Sequence, residues 1–237
     1  MKVLMLILAN DGGPNELYTH LQYRSWRNYM HSNPEIEAYF YKANPNLTQD
    51  YYFEGDVLWV KCIEQYPRLW NKHLLALRAF KDRLNEFDYI CRPDLGAFLV
   101  YDRYIDFIKS QPKTKMCCGT PLTESGSYSF PSGGCYTITP DIVKYIFENP
   151  NVSTIDSEHN EIDDIRIGAY LNELKINIIP DGRCVIYASW QYPDLYDFMN
   201  DKKRYYVRIY HQTPRLERDI DIHTYLLSIF YPQCHKI

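Results

Sequence analysis

Glu161, Asp163 and Asp164 place three acids in four positions, and carboxylates packed this closely raise one another's proton affinity toward that of a general base. They stand at the start of a helical apolar pattern running to Leu174, where the helix dipole favours negative charge. Capping alone would account for one of the three, and a solvated acidic rim would read the same way. A second candidate is the stretch Phe87-Asp88-Tyr89-Ile90-Cys91-Arg92-Pro93-Asp94-Leu95-Gly96-Ala97-Phe98. An apolar strand ends there in a basic residue, an aspartate and a glycine, and the carboxyl ends of strands are where open α/β sheets bind ligands. Asp94 could hold a ribose, a sugar hydroxyl or a divalent ion; as a plain turn residue it would look alike. Ser132-Gly133-Gly134, after Phe130-Pro131, permits close backbone approach to a ligand, and an ordinary loop would have the same composition. His211 follows a strand-like segment and is a candidate metal ligand or a structural histidine.

The elements that must position these residues follow from periodicity. Val3 to Ala9 is a continuous apolar run suited to a parallel strand covered on both faces, and Asn10 and Asp11 come directly after it. Leu17, Leu21 and Tyr29 have helical spacing. Ile36 to Tyr41 and Val57 to Cys62 read as strands, and Trp70, Leu74, Leu77, Phe80 and Leu84 form the stripe of one helix. The first hundred residues thus read strand, helix, strand, strand, helix, strand, which implies a mostly parallel sheet flanked by helices. Further on, Thr139-Pro140-Asp141 has the capping hydroxyl, the proline and the first-turn acid of a helix start. Lys175 to Pro180 and Cys184 to Ala188 read as strands, and Asp219 to Phe230 as a final amphipathic helix.

Bulk properties bound the partners. A chain of 237 residues with 46% hydrophobic and 24% charged residues suits one compact unit with a substantial core. A formal net charge of −4 argues against nucleic acid, whose phosphates need a basic face. No stretch approaches the roughly 18 apolar residues of a membrane helix, and the first strand has no signal-peptide pattern. A soluble cytoplasmic protein is therefore expected. Seven cysteines without a Cys-x-x-Cys pair fit buried thiols. The 23 tyrosines suit packing, or stacking against sugars or bases. No phosphate-loop or dinucleotide fingerprint occurs.

Taken in order, four segments resemble the β-1,3-glycosyltransferases of the galactosyltransferase and Fringe type, in a soluble bacterial or viral form. Glu64-Gln65-Tyr66-Pro67-Arg68-Leu69-Trp70-Asn71-Lys72 is similar to that family's acid-x-Tyr-x-Asn-Leu-x-x-Lys segment. Tyr89 to Phe98 resembles its strand leading into the DxD motif, Phe130 to Thr137 its Ser-Gly-Gly segment, and Asp163-Asp164-Ile165-Arg166-Ile167-Gly168 its Glu-Asp-Val-x-x-Gly motif. Trp26 corresponds to a further family tryptophan. The resemblance implies a GT-A fold with a Rossmann-like N-terminal half. Residues 1–98 would bind a nucleoside-diphosphate sugar, most readily a UDP-sugar, and residues 99–237 a glycan acceptor. It further implies inverting transfer with Asp164 as general base and Asp163 beside it. Asn10, Asp11, Lys72, Arg92 and Asp94 would contact the donor, and Ser132, Gly133 and Gly134 would wall the active site. Leu95 and Gly96 stand where the family carries the later acids of its DxD motif. Mn2+ or Mg2+ at Asp94, with His211, is thus expected to assist transfer without being strictly required. The alternative implied by the broken motif is a catalytically silent module of the same fold that binds a nucleotide sugar or glycan.

Overall fold

The structure is a computed structural model that describes residues 1–10, 33–65, 68–123, 128–151, 162–186, 192–209 and 215–232. The helix expected around Leu17 to Tyr29, together with Asp11, Trp26, Glu161 and His211, lies outside them. The larger sheet contains β1 (Val3–Leu8), β2 (Ile36–Ala43), β3 (Tyr51–Glu54), β4 (Val57–Val60), β5 (Tyr89–Pro93), β7 (Cys117–Thr123), β8 (Ser129–Ile138) and β9 (Ile178–Pro180). A smaller sheet contains β6 (Ala97–Leu99), β10 (Arg183–Ile186) and β11 (Tyr206–Ile209). The helices are α1 (Leu69–Arg78), α2 (Tyr101–Lys109), α3 (Pro140–Glu148), α4 (Asp163–Glu173), α5 (Tyr192–Asn200) and α6 (Arg215–Phe230).

The large sheet runs β3-β4-β2-β1-β5-β8-β7-β9. Its block β4-β2-β1-β5 is parallel throughout, while β8 is antiparallel to both β5 and β7. The apolar run of β1 has its explanation here. Val3, Met5 and Ile7 face a core with Phe98, Tyr104 and Leu226, whereas Leu4 and Leu6 face a second core with Leu77, Ile142 and Ile167. Successive side chains point to opposite faces, so a strand covered on both sides must be apolar at every position. Cys62, Cys91, Cys117, Cys118 and Cys135 are free buried thiols, as their apolar neighbours imply.

Three departures from the sequence reading have local causes. The stripe from Trp70 to Leu84 is broken after Arg78, and residues Lys81–Glu86 form a 3-10 turn. This change of period buries Phe80 and Leu84 while Arg83 reaches Glu37 on β2 and Glu86. The strand Tyr51–Glu54 has no alternation to announce it, because it lies at the sheet edge and is exposed or partly exposed at every position. Thr139 precedes α3 without capping it; its hydroxyl instead accepts the Met116 N–H at 3.1 Å, tying the helix start to the residue that leads into β7.

Beyond Pro93 the chain changes sheets. Asp94-Leu95-Gly96 links β5 to β6, and β6 pairs antiparallel with β11, Arg208 lying opposite Ala97 and Tyr206 opposite Leu99. The junction of the two sheets therefore falls at the carboxyl end of β5.

Gly168 sets how closely α4 approaches β8. A Cβ at this position would run into the Phe130 Cβ and come within 2.8 Å of the Phe130 Cα, neither of which can swing aside. Gly168→Ala is expected to lower stability by about 1–3 kcal/mol through overpacking, measured by denaturant unfolding. An unchanged midpoint would mean that the helix shifts freely and does not fix its N-terminus.

Candidate active site

Arg92 is the centre of the site. It shares a face of β5 with Ile90, lies opposite Tyr136 of β8, and points beneath the helix α4. Its guanidinium contacts Asp163 Oδ2 at 2.6 Å, with both side chains 2% exposed. It also donates to the Gly133 carbonyl and lies 5.7 Å from the centre of the Tyr136 ring. Burial alone would weaken the hold of Arg92 on its proton, but the surrounding negative groups, Asp163 first, reverse this and keep it charged.

Below it lies an uncharged floor. His73 receives or donates hydrogen bonds at both ring nitrogens, to the Tyr41 hydroxyl at 3.3 Å and the Tyr136 hydroxyl at 3.1 Å. Burial pulls its pKa down to about 4, so the imidazole is neutral at ordinary pH.

Asp164, the first-turn neighbour of Asp163, stands beside this pair. Its Oδ1 accepts the Ile165 N–H at 2.9 Å. Its pKa is pushed up to about 6 by loss of solvent and then by the Asp163 charge, against the pull of Arg92 and the Ile165 and Gly133 amides. Gly133 makes room for this geometry. A Cβ there would sit 2.6 Å from Asp164 Oδ2, so the missing side chain makes room for the carboxylate. The same holds one residue on, where a Cβ on Gly134 would meet Arg208 Nη1 at 2.5 Å. Ser132 is buried, and its hydroxyl accepts the Gly134 N–H at 3.4 Å.

Asp94 lies next to this wall. Its N–H donates to the Gly134 carbonyl at 2.9 Å, and the residue bridges to Leu8 at the end of β1. Its Oδ2 pairs with Arg208 Nη1, both side chains being 19% exposed, while Oδ1 is buried without a hydrogen-bond partner among the described residues. Asn10, two residues past β1, likewise has a buried Oδ1 with no partner among the described residues. Arg208 was not singled out from the sequence. Its signal is its place on β11 opposite Ala97, three residues after Asp94, which requires the sheet register.

Lys72 sits apart from the mouth of the site. It is 1% exposed, donates to the Ala9 carbonyl at 2.6 Å and pairs with Glu64 at 2.5 Å. Burial draws its pKa down against the pull of Glu64. Lys72, held by Glu64, therefore anchors the backbone just past the end of β1 at Ala9.

Asp94 offers a cation one carboxylate, already engaged by a guanidinium, whereas hard cations take several oxygen ligands. Among the described residues no cluster of three or more metal-ligating side chains occurs. The described residues therefore assemble no metal site by themselves; Asp11 and His211 lie outside them.

No protein-family model and no curated protein matches the sequence. Among solved structures, the chain is similar to a glycosyltransferase involved in the glycosylation of the major capsid of PBCV-1. The TM-score is 0.54 at 14% identity, covering 94% of this chain and 100% of that one. Two structures of LgtC, an active-site mutant and a galactosyltransferase complex with donor and acceptor sugar analogs, give TM-scores of 0.48 and 0.47. Each is 10% identical, over 97% of this chain and 96% of theirs. The likeness is one of fold: the chain has a mixed α/β architecture of the GT-A glycosyltransferase type.

The raised pKa of Asp164 carries a sign for stability. The folded protein holds this proton up to about pH 6, whereas the ordinary value is 3.8, so stability falls as pH rises through that window and the loss is complete above it. Asp164→Asn is expected to be more stable than the parent above pH 6, with the advantage vanishing near pH 4. Denaturant titrations across this range check it, and a constant difference would show that the carboxylate is not strained by its surroundings.

Proposed function

We propose that this protein is a glycosyltransferase that moves a sugar from a nucleoside-diphosphate donor, a UDP-sugar in the first instance, to a hydroxyl of a glycan acceptor. The observation that carries this reading is Asp164. Its pKa of about 6 lies near that of an effective general base, and it is seated against the Gly133 backbone at the carboxyl end of the parallel strands. The fold likeness to a capsid-glycosylating enzyme adds support for sugar transfer.

In the proposed reaction the ionised Asp164 takes the acceptor proton as the acceptor oxygen attacks the anomeric carbon, and the bond to the diphosphate breaks with inversion. Asp163 holds Arg92, which fixes the Gly133 wall against which Asp164 rests. Asn10 and Asp94 meet the donor at the ends of β1 and β5, with Asp11 as a further candidate contact. Residues 99–237 supply Gly133, Gly134 and Asp164 and would take the acceptor. Kinship with the β-1,3-glycosyltransferases of galactosyltransferase and Fringe type and a cytoplasmic setting complete the proposal. No helix among the described residues is long and apolar enough to cross a membrane.

Asp164→Asn is expected to lower the transfer rate by roughly 10²–10⁴ while leaving nucleoside-diphosphate affinity within threefold. The parent's kcat/KM should fall below about pH 6 as the base becomes protonated. Initial rates with a panel of donors test both, and turnover of the variant within threefold of the parent would remove Asp164 from the mechanism.

Manganese at Asp94, aided by His211, is proposed as an accessory and not a requirement, because the Asp94 carboxylate already has a cationic partner in Arg208. A residual transfer rate should therefore survive excess chelator. Complete loss, fully restored by manganese, would show that metal ligands outside this set complete a site.

A further inference from the structure

The departing diphosphate carries negative charge that must be met by a cation placed at the reacting centre. The two cations singled out from the sequence are both committed elsewhere. Arg92 is 2% exposed and closed between Asp163 and the Gly133 carbonyl, and Lys72 is 1% exposed and closed between Glu64 and the Ala9 carbonyl. Withdrawing either to greet a ligand would strand a buried carboxylate or carbonyl.

Arg208 is placed differently. It reaches from the smaller sheet across the junction to Asp94, at the carboxyl end of β5, and retains partial exposure. Its pair with Asp94 uses Nη1, while the guanidinium has five N–H donors in a planar fork that matches phosphate oxygens. Asp94 keeps the fork in position, and Gly134 leaves room for it, since a Cβ there would collide with the guanidinium nitrogen and approach Cδ at 3.2 Å. A carboxylate partner and a glycine gap thus converge on one arginine.

On the reading of the site as a nucleoside-diphosphate-sugar site, we infer that Arg208 is the residue that binds the donor diphosphate, with Asp94 as its positioning residue. The charge needed by the leaving group comes from the second sheet and is held in place before the donor arrives.

The experiment measures, by calorimetry, the affinities of UDP, GDP, uridine and guanosine for the parent, Arg208→Gln, Arg208→Lys and Asp94→Asn, with and without manganese, after circular dichroism has confirmed folding. Arg208→Gln is expected to weaken the bound diphosphate roughly ten- to hundredfold and to leave its nucleoside within threefold. Arg208→Lys, which keeps the charge but loses the fork, should fall between. Asp94→Asn should cost less than Arg208→Gln. An equal loss of diphosphate and nucleoside in Arg208→Gln would mean a general collapse of the pocket and would overturn the inference, as would an unchanged diphosphate affinity. It would equally be overturned if manganese restored the diphosphate affinity of Arg208→Gln to that of the parent, since the metal and not the arginine would then meet the diphosphate. A parent that binds neither diphosphate would defeat the functional reading itself, and the inference with it.

Discussion

The buried pair between Arg92 and Asp163 joins a strand to a helix, and the placement of Asp164 against the Gly133 backbone depends on it. Arg92 stands on the central strand β5, and Asp163 opens α4. With both ends fixed, Asp164 is directed to Gly133. Taking two charges out of water largely cancels their attraction, so such a pair adds little net stability, yet removing one partner costs about 3–5 kcal/mol because the other is left alone. Its value here is positional. The close approach of α4 at Gly168 and the neutral His73 floor serve the same end, one by bringing the acids near and the other by adding no competing charge.

The second ion pair, Asp94 with Arg208, has a different character. It bridges two sheets and is partly open to solvent, at 19% exposure on each side. The two pairs lie on either side of the consecutive glycines of β8, one served by Gly133 and the other by Gly134. A strand can present adjacent residues to opposite directions, so one short backbone segment accommodates two charged groups arriving from two elements.

Much of this was legible in the sequence because it rests on local signals. The apolar run of β1, the acid cluster that opens α4 and the Asp94 turn all depend on neighbours in the chain. The Ser132-Gly133-Gly134 segment was equally visible, although its glycines make room for Asp164 and Arg208 and not simply for a ligand. What could not be read depends on distant partners. The burial of Lys72 beneath Ala9 and Glu64 needs the packing of α1 over β2, β4 and α4, and Arg208 gains its meaning only from the β6–β11 register. The edge strand Tyr51–Glu54 had no buried face to impose alternation.

The two glycines also limit how this protein can diversify. A pocket that must accept new sugars usually changes by altering the side chains around it, but positions 133 and 134 have no space for even a methyl group without displacing an acid or an arginine. Substitutions that change the site are therefore expected to spare these two positions and to fall around them. Room for variation in this molecule lies in side chains that stand further from Asp164 and Arg208.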